Sequence, residues 1–191
     1  MKVYFILPFL FFFGLKKNFA QQKFEKEYRI KKEQVPKDAI NFIHAIAFDH
    51  KIKWYKEERI AGYSYEAKTP FRGVKYSIEF DAKGKIEDVE YEILWAVVPT
   101  VPQQKMIDFF DKTFQKWRIV KTQVHLNGPP QALIDLINQT SIPQQLVTKY
   151  ELVVKGRKEQ QSQMMEYLFS DKGTLEKQAR IVFKSADHLE Y

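Results

Sequence analysis

The sequence predicts an α+β protein: an antiparallel β-sheet with helices packed on one face, built as two similar units in tandem. Three patterns carry this reading. Val74, Tyr76, Ile78 and Phe80 alternate with Lys75, Ser77 and Glu79, the two-residue period of a strand with one buried and one solvated face. Ala39, Ile40, Ile43, Ile46 and Ala47 recur at three- and four-residue intervals behind Pro36, as in an amphipathic helix entered through proline. The third pattern is a repetition. Phe80-Asp-Ala-Lys-Gly-Lys-Ile-Glu87 and Phe169-Ser-Asp-Lys-Gly-Thr-Leu-Glu176 share Phe, Lys, Gly and Glu in register, each between two strand-like runs.

In chain order, Met1 to Leu15 has a basic start and an apolar run too short to cross a bilayer as a helix. With Ala20 at an acceptable cleavage site, residues 1–20 are expected to be a signal peptide and the mature protein to be periplasmic or secreted. Membrane contact is expected only through an uncleaved signal segment. Residues 21–35 are charged and poor in apolar side chains, which predicts a linker or a frayed helical lead-in.

The first unit is assigned to 36–98. Its helix is followed by strands over Lys51–Glu58 and Gly62–Lys68, then a turn at Thr69–Gly73. Asp81 and Gly84 close the next hairpin, Asp81 by accepting backbone bonds and Gly84 by taking a positive φ. Ile86 is out of phase with Val89, Tyr91 and Ile93, so a bulge is expected near Glu87–Asp88. Facing the helix are Ile52, Trp54, Tyr63, Tyr65, Tyr76, Ile78, Val89 and Tyr91. The opposite, wet face carries Lys53, Tyr55, Glu66, Lys75, Glu79, Glu90 and Glu92.

The second unit is assigned to 99–185, with 186–191 a tail. Thr100 is the expected N-cap, with Gln103 completing a capping box, for a helix bearing Met106, Ile107, Phe110 and Phe114 on one stripe. A strand over 117–126 precedes Asn127-Gly-Pro-Pro130, which opens a helix with Leu133, Leu136 and Ile137 on one side. Pro129-Pro-Gln-Ala-Leu resembles the Pro36 helix start. Strands follow at 147–155, 163–169 and 175–183.

A chain of 191 residues with 45% hydrophobic content can bury a core. Zero cysteines exclude disulfides, thiol nucleophiles, thiolate metal sites and a lipoprotein lipid site. The net charge is +7, and loss of Lys2, Lys16 and Lys17 with the leader leaves +4. No basic run interleaved with aromatics stands out, so nucleic acid is not an expected partner.

The Pro-led helix, Lys53-Trp54, paired Tyr63 and Tyr65, and Tyr76-Ser-Ile-Glu-Phe-Asp-Ala-Lys-Gly84 with its acidic return strand together resemble the PepSY-like, beta-lactamase-inhibitor-like domain of secreted bacterial proteins. The resemblance covers about 36–94 well and 129–184 weakly, where Ser170 replaces the Asp and Met165 the tyrosine. It implies helices on one face of an antiparallel sheet, export, and a binding or inhibitory role. It brings no catalytic set with it.

No local pattern supports catalysis. His44, Asp49 and His50 have ligand chemistry, but His44 and His50 would point about 240° apart on a helix, so no metal centre is expected there. His125 has no neighbouring ligand pattern. None of the serines sits in a Gly-x-Ser-x-Gly context, and no phosphate-cradling glycine loop is present, so no cofactor is expected. Glu87, Asp88, Glu90 and Glu92 read as a solvated strand edge.

Two protein-binding surfaces are predicted. One is the tip of the first sheet, with Tyr55, Phe71 and Arg72. The other is the second unit's outer face, with Val153, Met164, Leu168 and Val182 opposite an inward set that includes Tyr150, Leu152, Val154, Met165, Tyr167, Phe169, Ala179 and Ile181. The expected function is recognition of an exported protein or peptide without catalysis. Alternatives are an exported hydrolase using dispersed carboxylates and histidines, and a carrier of a small apolar ligand.

Overall fold

The computed structural model describes residues 21–23, 26–59, 62–141 and 145–181. One sheet organises them. In chain order the elements are β1 (Gln21–Lys23), β2 (Lys26–Ile30), α1 (Lys37–His44), β3 (Lys53–Arg59), β4 (Gly62–Phe71), β5 (Val74–Phe80) and β6 (Ile86–Glu92), followed by α2 (Thr100–Thr113), β7 (Lys116–Asn127), α3 (Pro130–Asn138), β8 (Val147–Lys158), β9 (Gln161–Ser170) and β10 (Leu175–Ile181). The ten strands lie in the order β1-β10-β9-β8-β7-β6-β5-β4-β3-β2. Strands β2 to β10 pair antiparallel with their neighbours, and β1 joins β10 in parallel.

Helices pack on one face of this sheet, as the periodicities require. Phe42 of α1 meets Phe80 edge-on with ring centroids 5.6 Å apart, and Phe110 of α2 packs on Tyr167 at 5.1 Å and Phe169 at 5.7 Å. Leu133 and Ile137 of α3 are buried in the same apolar core, which runs continuously from Val35 to Phe169. Asn138 ties α3 to α1 by bonding the backbone of Ala45 and Ala47, each at 3.0 Å.

The bulge predicted near Glu87 is present: Glu79 opposes Asp88 and Phe80 opposes Ile86, leaving Glu87 as the extra residue. The two repeated hairpins close identically. Asp81 N–H donates to Lys85 O and Gly84 N–H to Asp81 O; Ser170 N–H and Gly173 N–H make the matching bonds to Thr174 O and Ser170 O. Asp81 Oδ1 accepts from the amides of Lys83 and Lys85, and Ser170 Oγ does the same for Lys172 and Thr174. Each glycine adopts positive φ beneath a helix start: Gly84 against Pro36 and Ala39, Gly173 against Pro102. The helix standing over the second hairpin is thus α2, not the Pro129-led α3 that the sequence alone likens to the first. Each half runs helix then four strands, with α3 inserted between β7 and β8.

Several expectations are corrected. Residues 21–35 contain β1 and β2 where a linker was expected, because edge strands tolerate charge: Glu27 stands opposite Glu57 and Tyr28 opposite Lys56. Thr100 is the first residue of α2 and Pro99 its N-cap, while Gln103 donates to Trp95 O at 2.9 Å instead of closing a capping box. Tyr63 lies near the start of β4, 41% exposed, under the Lys56 ammonium. In β10 an extra residue between Leu175 and Lys177 flips the phase, so Ala179 opposes Glu166 and Ile181 opposes Met164. Both therefore share the helix-free face and not the helix side, where Ala179 is nonetheless buried and Ile181 half-buried.

Strands β1 and β2 border opposite edges, yet Lys23 and Lys26 are three peptide steps apart, at most about 11 Å. Ten strands laid flat would separate their edges by about 43 Å, so the sheet is curled. Lys37, Asp38, Asn41 and His44 of α1 are exposed, so the helices lie outside the curl and the helix-free face lines its inside.

Candidate binding face

Register brings polar side chains into rows across the inner face. Lys53, Lys68, Ser77, Glu90, His125, Lys149 and Ser170 stand opposite one another from β3 to β9. Beside them run Tyr55, Glu66, Glu79 and Asp88. The face is less wet than alternation alone suggests. Glu57, Glu66, Ser77, Glu90 and Gln123 are all buried, because the curl crowds neighbouring side chains over them.

Burying carboxylates requires cations or donors. Arg59 supplies three contacts: Nη2 to Glu79 Oε2 at 2.5 Å and to Glu57 Oε2 at 3.5 Å, and Nη1 to Glu87 Oε2 at 3.0 Å. Burial alone would weaken its charge, but Glu79, Glu87 and Glu57 outweigh burial and hold the guanidinium above its ordinary value. Lys68 lies 2.9 Å from Glu66 Oε2 and 3.0 Å from both oxygens of Glu27. It too is held protonated against burial by Glu66 and Glu27. Ser77 donates to the other oxygen of Glu66.

Farther along, His125 Nδ1 lies 3.1 Å from Glu90 Oε1 and Nε2 lies 2.8 Å from Asn127 Oδ1. Gln123 Nε2 donates to Glu90 Oε2 at 3.0 Å, and Asn127 Nδ2 to the Glu87 carbonyl at 2.7 Å. Asp88 is half-buried, but its Oδ1 is shut off from solvent and has no hydrogen-bond partner. Burial, and then the charges of Glu79, Glu90 and Glu87, push its carboxyl well above the usual range. The stretch expected to be a solvated acidic edge is therefore a partly buried cluster. Sequence reasoning missed its meeting with His125 because β6 and β7 are joined through α2.

Between β3–β6 and β7 the face opens into a cleft of about 210 Å³ lined by Lys53, Lys68, Lys75, Lys121, Glu92 and Gln123. Lys75 pairs with Glu92 at 3.1 Å. Among the described residues, Lys53 and Lys121 enter no ion pair. A larger cavity of about 590 Å³ lies at the corner of α1, β2 and β3, with Ile30, Ile40, Ile43, Ile52 and Trp54 forming its apolar wall.

The predicted tip is not one cluster. Phe71 is 4% exposed and packs on Phe48 at 5.2 Å, so its ring belongs to the core. Arg72 is exposed at the turn with φ 49°, its guanidinium 4.8 Å from the Phe71 ring. Tyr55 lies well along β3 on the inner face, opposite Arg29 and Glu66, with Lys68 over its ring at 4.9 Å. Val153, Met164 and Leu168 do share the inner face, half-buried, and the flipped β10 adds Ala179 and Ile181 beside them. Val182 lies outside the described residues. The His44, Asp49 and His50 side chains do not converge: His44 meets Lys32 at 2.9 Å, and His50 meets Asp49 at 2.6 Å.

No protein-family model matches the chain, and no curated protein matches its sequence. Among solved structures, the chain is similar to a BLIP-like protein from Bacteroides fragilis, at 17% sequence identity and a TM-score of 0.49, over 81% of this chain and 92% of that one.

Proposed function

We propose that the mature chain is an exported, non-enzymatic binding protein of the PepSY-like type, made of two α+β units, which recognises an exported protein or peptide on the inner face of its curled sheet. The observation that supports this most is the lysine-lined cleft. Lys53 and Lys121 border a groove in a face that none of the described helices covers, beside an array of carboxylates whose own cations, Arg59 and Lys68, are already engaged. Such a groove suits an acidic side chain of a partner, with the half-buried Val153, Met164 and Leu168 offering apolar contact farther along. An inhibitory role would follow wherever the bound segment belongs to a partner's working surface.

The test is capture of ligands from periplasmic extract and culture medium on the immobilised mature chain, beside a Lys53→Glu, Lys121→Glu double variant. Saturable capture that drops at least tenfold in the variant supports the reading, whereas equal capture by both chains refutes it. Turnover of any substrate by the purified chain would favour the hydrolase alternative instead.

The corner cavity favours one second reading, a carrier. Its isoleucine and tryptophan wall, rimmed by Arg29, Lys31, Lys32, Lys51 and Lys53, matches a small apolar ligand with an anionic head. Displacement of a fluorescent fatty-acid probe that is abolished by Ile43→Trp would support it, and failure of the probe to bind would dismiss it.

A further inference from the structure

We propose that Asp88, Glu90 and His125 form a binding site for a divalent transition-metal cation of the zinc class. One oxygen from each carboxylate and one ring nitrogen lie within 4.8 Å of one another. Asp88 and Glu90 are alternate residues of β6, and His125 stands opposite Glu90 on β7, so the ladder itself brings all three to one face.

Hydrogen bonding decides which histidine nitrogen is available. Asn127 donates through Nδ2 to the Glu87 carbonyl, and this turns its Oδ1 toward His125 Nε2. An amide oxygen only accepts, so Nε2 carries the hydrogen. In the neutral ring Nδ1 is then a bare lone pair aimed at Glu90 Oε1, another acceptor, 3.1 Å away. Donors bound about 2.1 Å from one ion sit about 3.0–3.4 Å apart, so this pair already has the spacing of adjacent ligands. Gln123 holds the second oxygen of Glu90, and Asn127 holds the far side of His125, the outer support that metal ligands commonly have.

Asp88 supplies an independent observation. Its Oδ1 is buried without a partner on the same face. The second carboxylate trio, Glu27, Glu57 and Glu66, shows the contrast: Lys68 and Arg59 already deliver cations there. Imidazole with two carboxylates suits zinc and its neighbours better than calcium or magnesium, which prefer all-oxygen shells. Three protein donors leave a coordination position for water or for a partner's side chain.

The test is calorimetric titration of zinc chloride into the metal-stripped chain, with selective NMR of the histidine nitrogens. One ion per chain is expected, with a shift of His125 Nδ1 and not Nε2. Asp88→Asn and His125→Gln should each weaken uptake at least tenfold, Asn127→Leu by about ten- to a hundredfold, and Glu27→Gln not at all. Asp88→Asn relieves like-charge crowding, so its circular dichroism should remain that of the folded chain. Absence of saturable uptake below about 100 μM, or uptake unchanged in Asp88→Asn or His125→Gln, would overturn the proposal.

Discussion

Replacing Gly84 by alanine should cost far more than the same change at Gly73, although both glycines adopt positive φ, +88° and +78°. The left-handed backbone alone penalises an L-residue by about 1–2 kcal/mol. At Gly73 nothing lies within 4 Å of the added Cβ, so that is the whole cost. At Gly84 the new carbon would sit 2.7 Å from Pro36 Cβ and 3.0 Å from Ala39 N. Carbon pairs rest at about 3.5–4.0 Å, so α1 must retreat by roughly 1 Å and loosen Phe42 from Phe80. Overpacking of this kind adds about 1–3 kcal/mol, giving about 2–5 kcal/mol for Gly84→Ala. Gly173→Ala should behave alike, since its Cβ would meet Pro102 O at 2.7 Å and Pro102 Cα at 2.8 Å. Urea unfolding of the three variants decides the matter. Losses at Gly84 and Gly73 that agree within about 0.5 kcal/mol would refute the idea that close helix approach, and not φ alone, demands glycine there.

Arg72 and Gly73, with φ 49° and 78°, form the two central residues of a primed hairpin turn, so Arg72→Asn should stabilise by about 0.5–1 kcal/mol in the same assay. Arg59→Met leaves buried Glu57 and half-buried Glu79 without their shared guanidinium; because Arg59 is itself 32% exposed, the loss should be about 2–3 kcal/mol by urea midpoint. Burial holds the Tyr167 phenol above its ordinary value. The unfolded chain therefore releases this proton first, and the phenol's contribution, complete below pH about 10, is lost as pH rises. With the folded phenol still protonated, wild type should lose about 1.4 kcal/mol more than Tyr167→Phe on going from neutral pH to pH 11, and equal losses would contradict this.

Local periodicity made much of the fold legible. The β5–β6 hairpin, its bulge at Glu87 and the three helices could all be read from the sequence, because each is encoded within a dozen residues. What escaped depends on distant pairing. β2 carries three charged residues in five, Lys26, Glu27 and Arg29, and only its place at an edge beside β3 makes it a strand. The phase of β10 turns on an extra residue at Glu176 that leaves no hydrophobic signature. Alternation places the inner face of β3 to β9 but not its burial, since curl is a property of ten strands together. Glu90 and His125 meet only once β6 and β7 are in register, and alternation within each strand could show no more than that each points away from the core.

The pairing of Gln21 beside Ala179, with Lys26 beside Glu58, makes one short N-terminal stretch the clasp of the whole ribbon. Such a clasp cannot fasten until the last strand has been synthesised, because half of what it grips lies at the other end of the chain. Final assembly must therefore follow synthesis of β10, and closure over so long a loop should be a late and slow kinetic phase. Once fastened, β1 and β2 cover the margins that β10 and β3 would otherwise offer to a stray polypeptide.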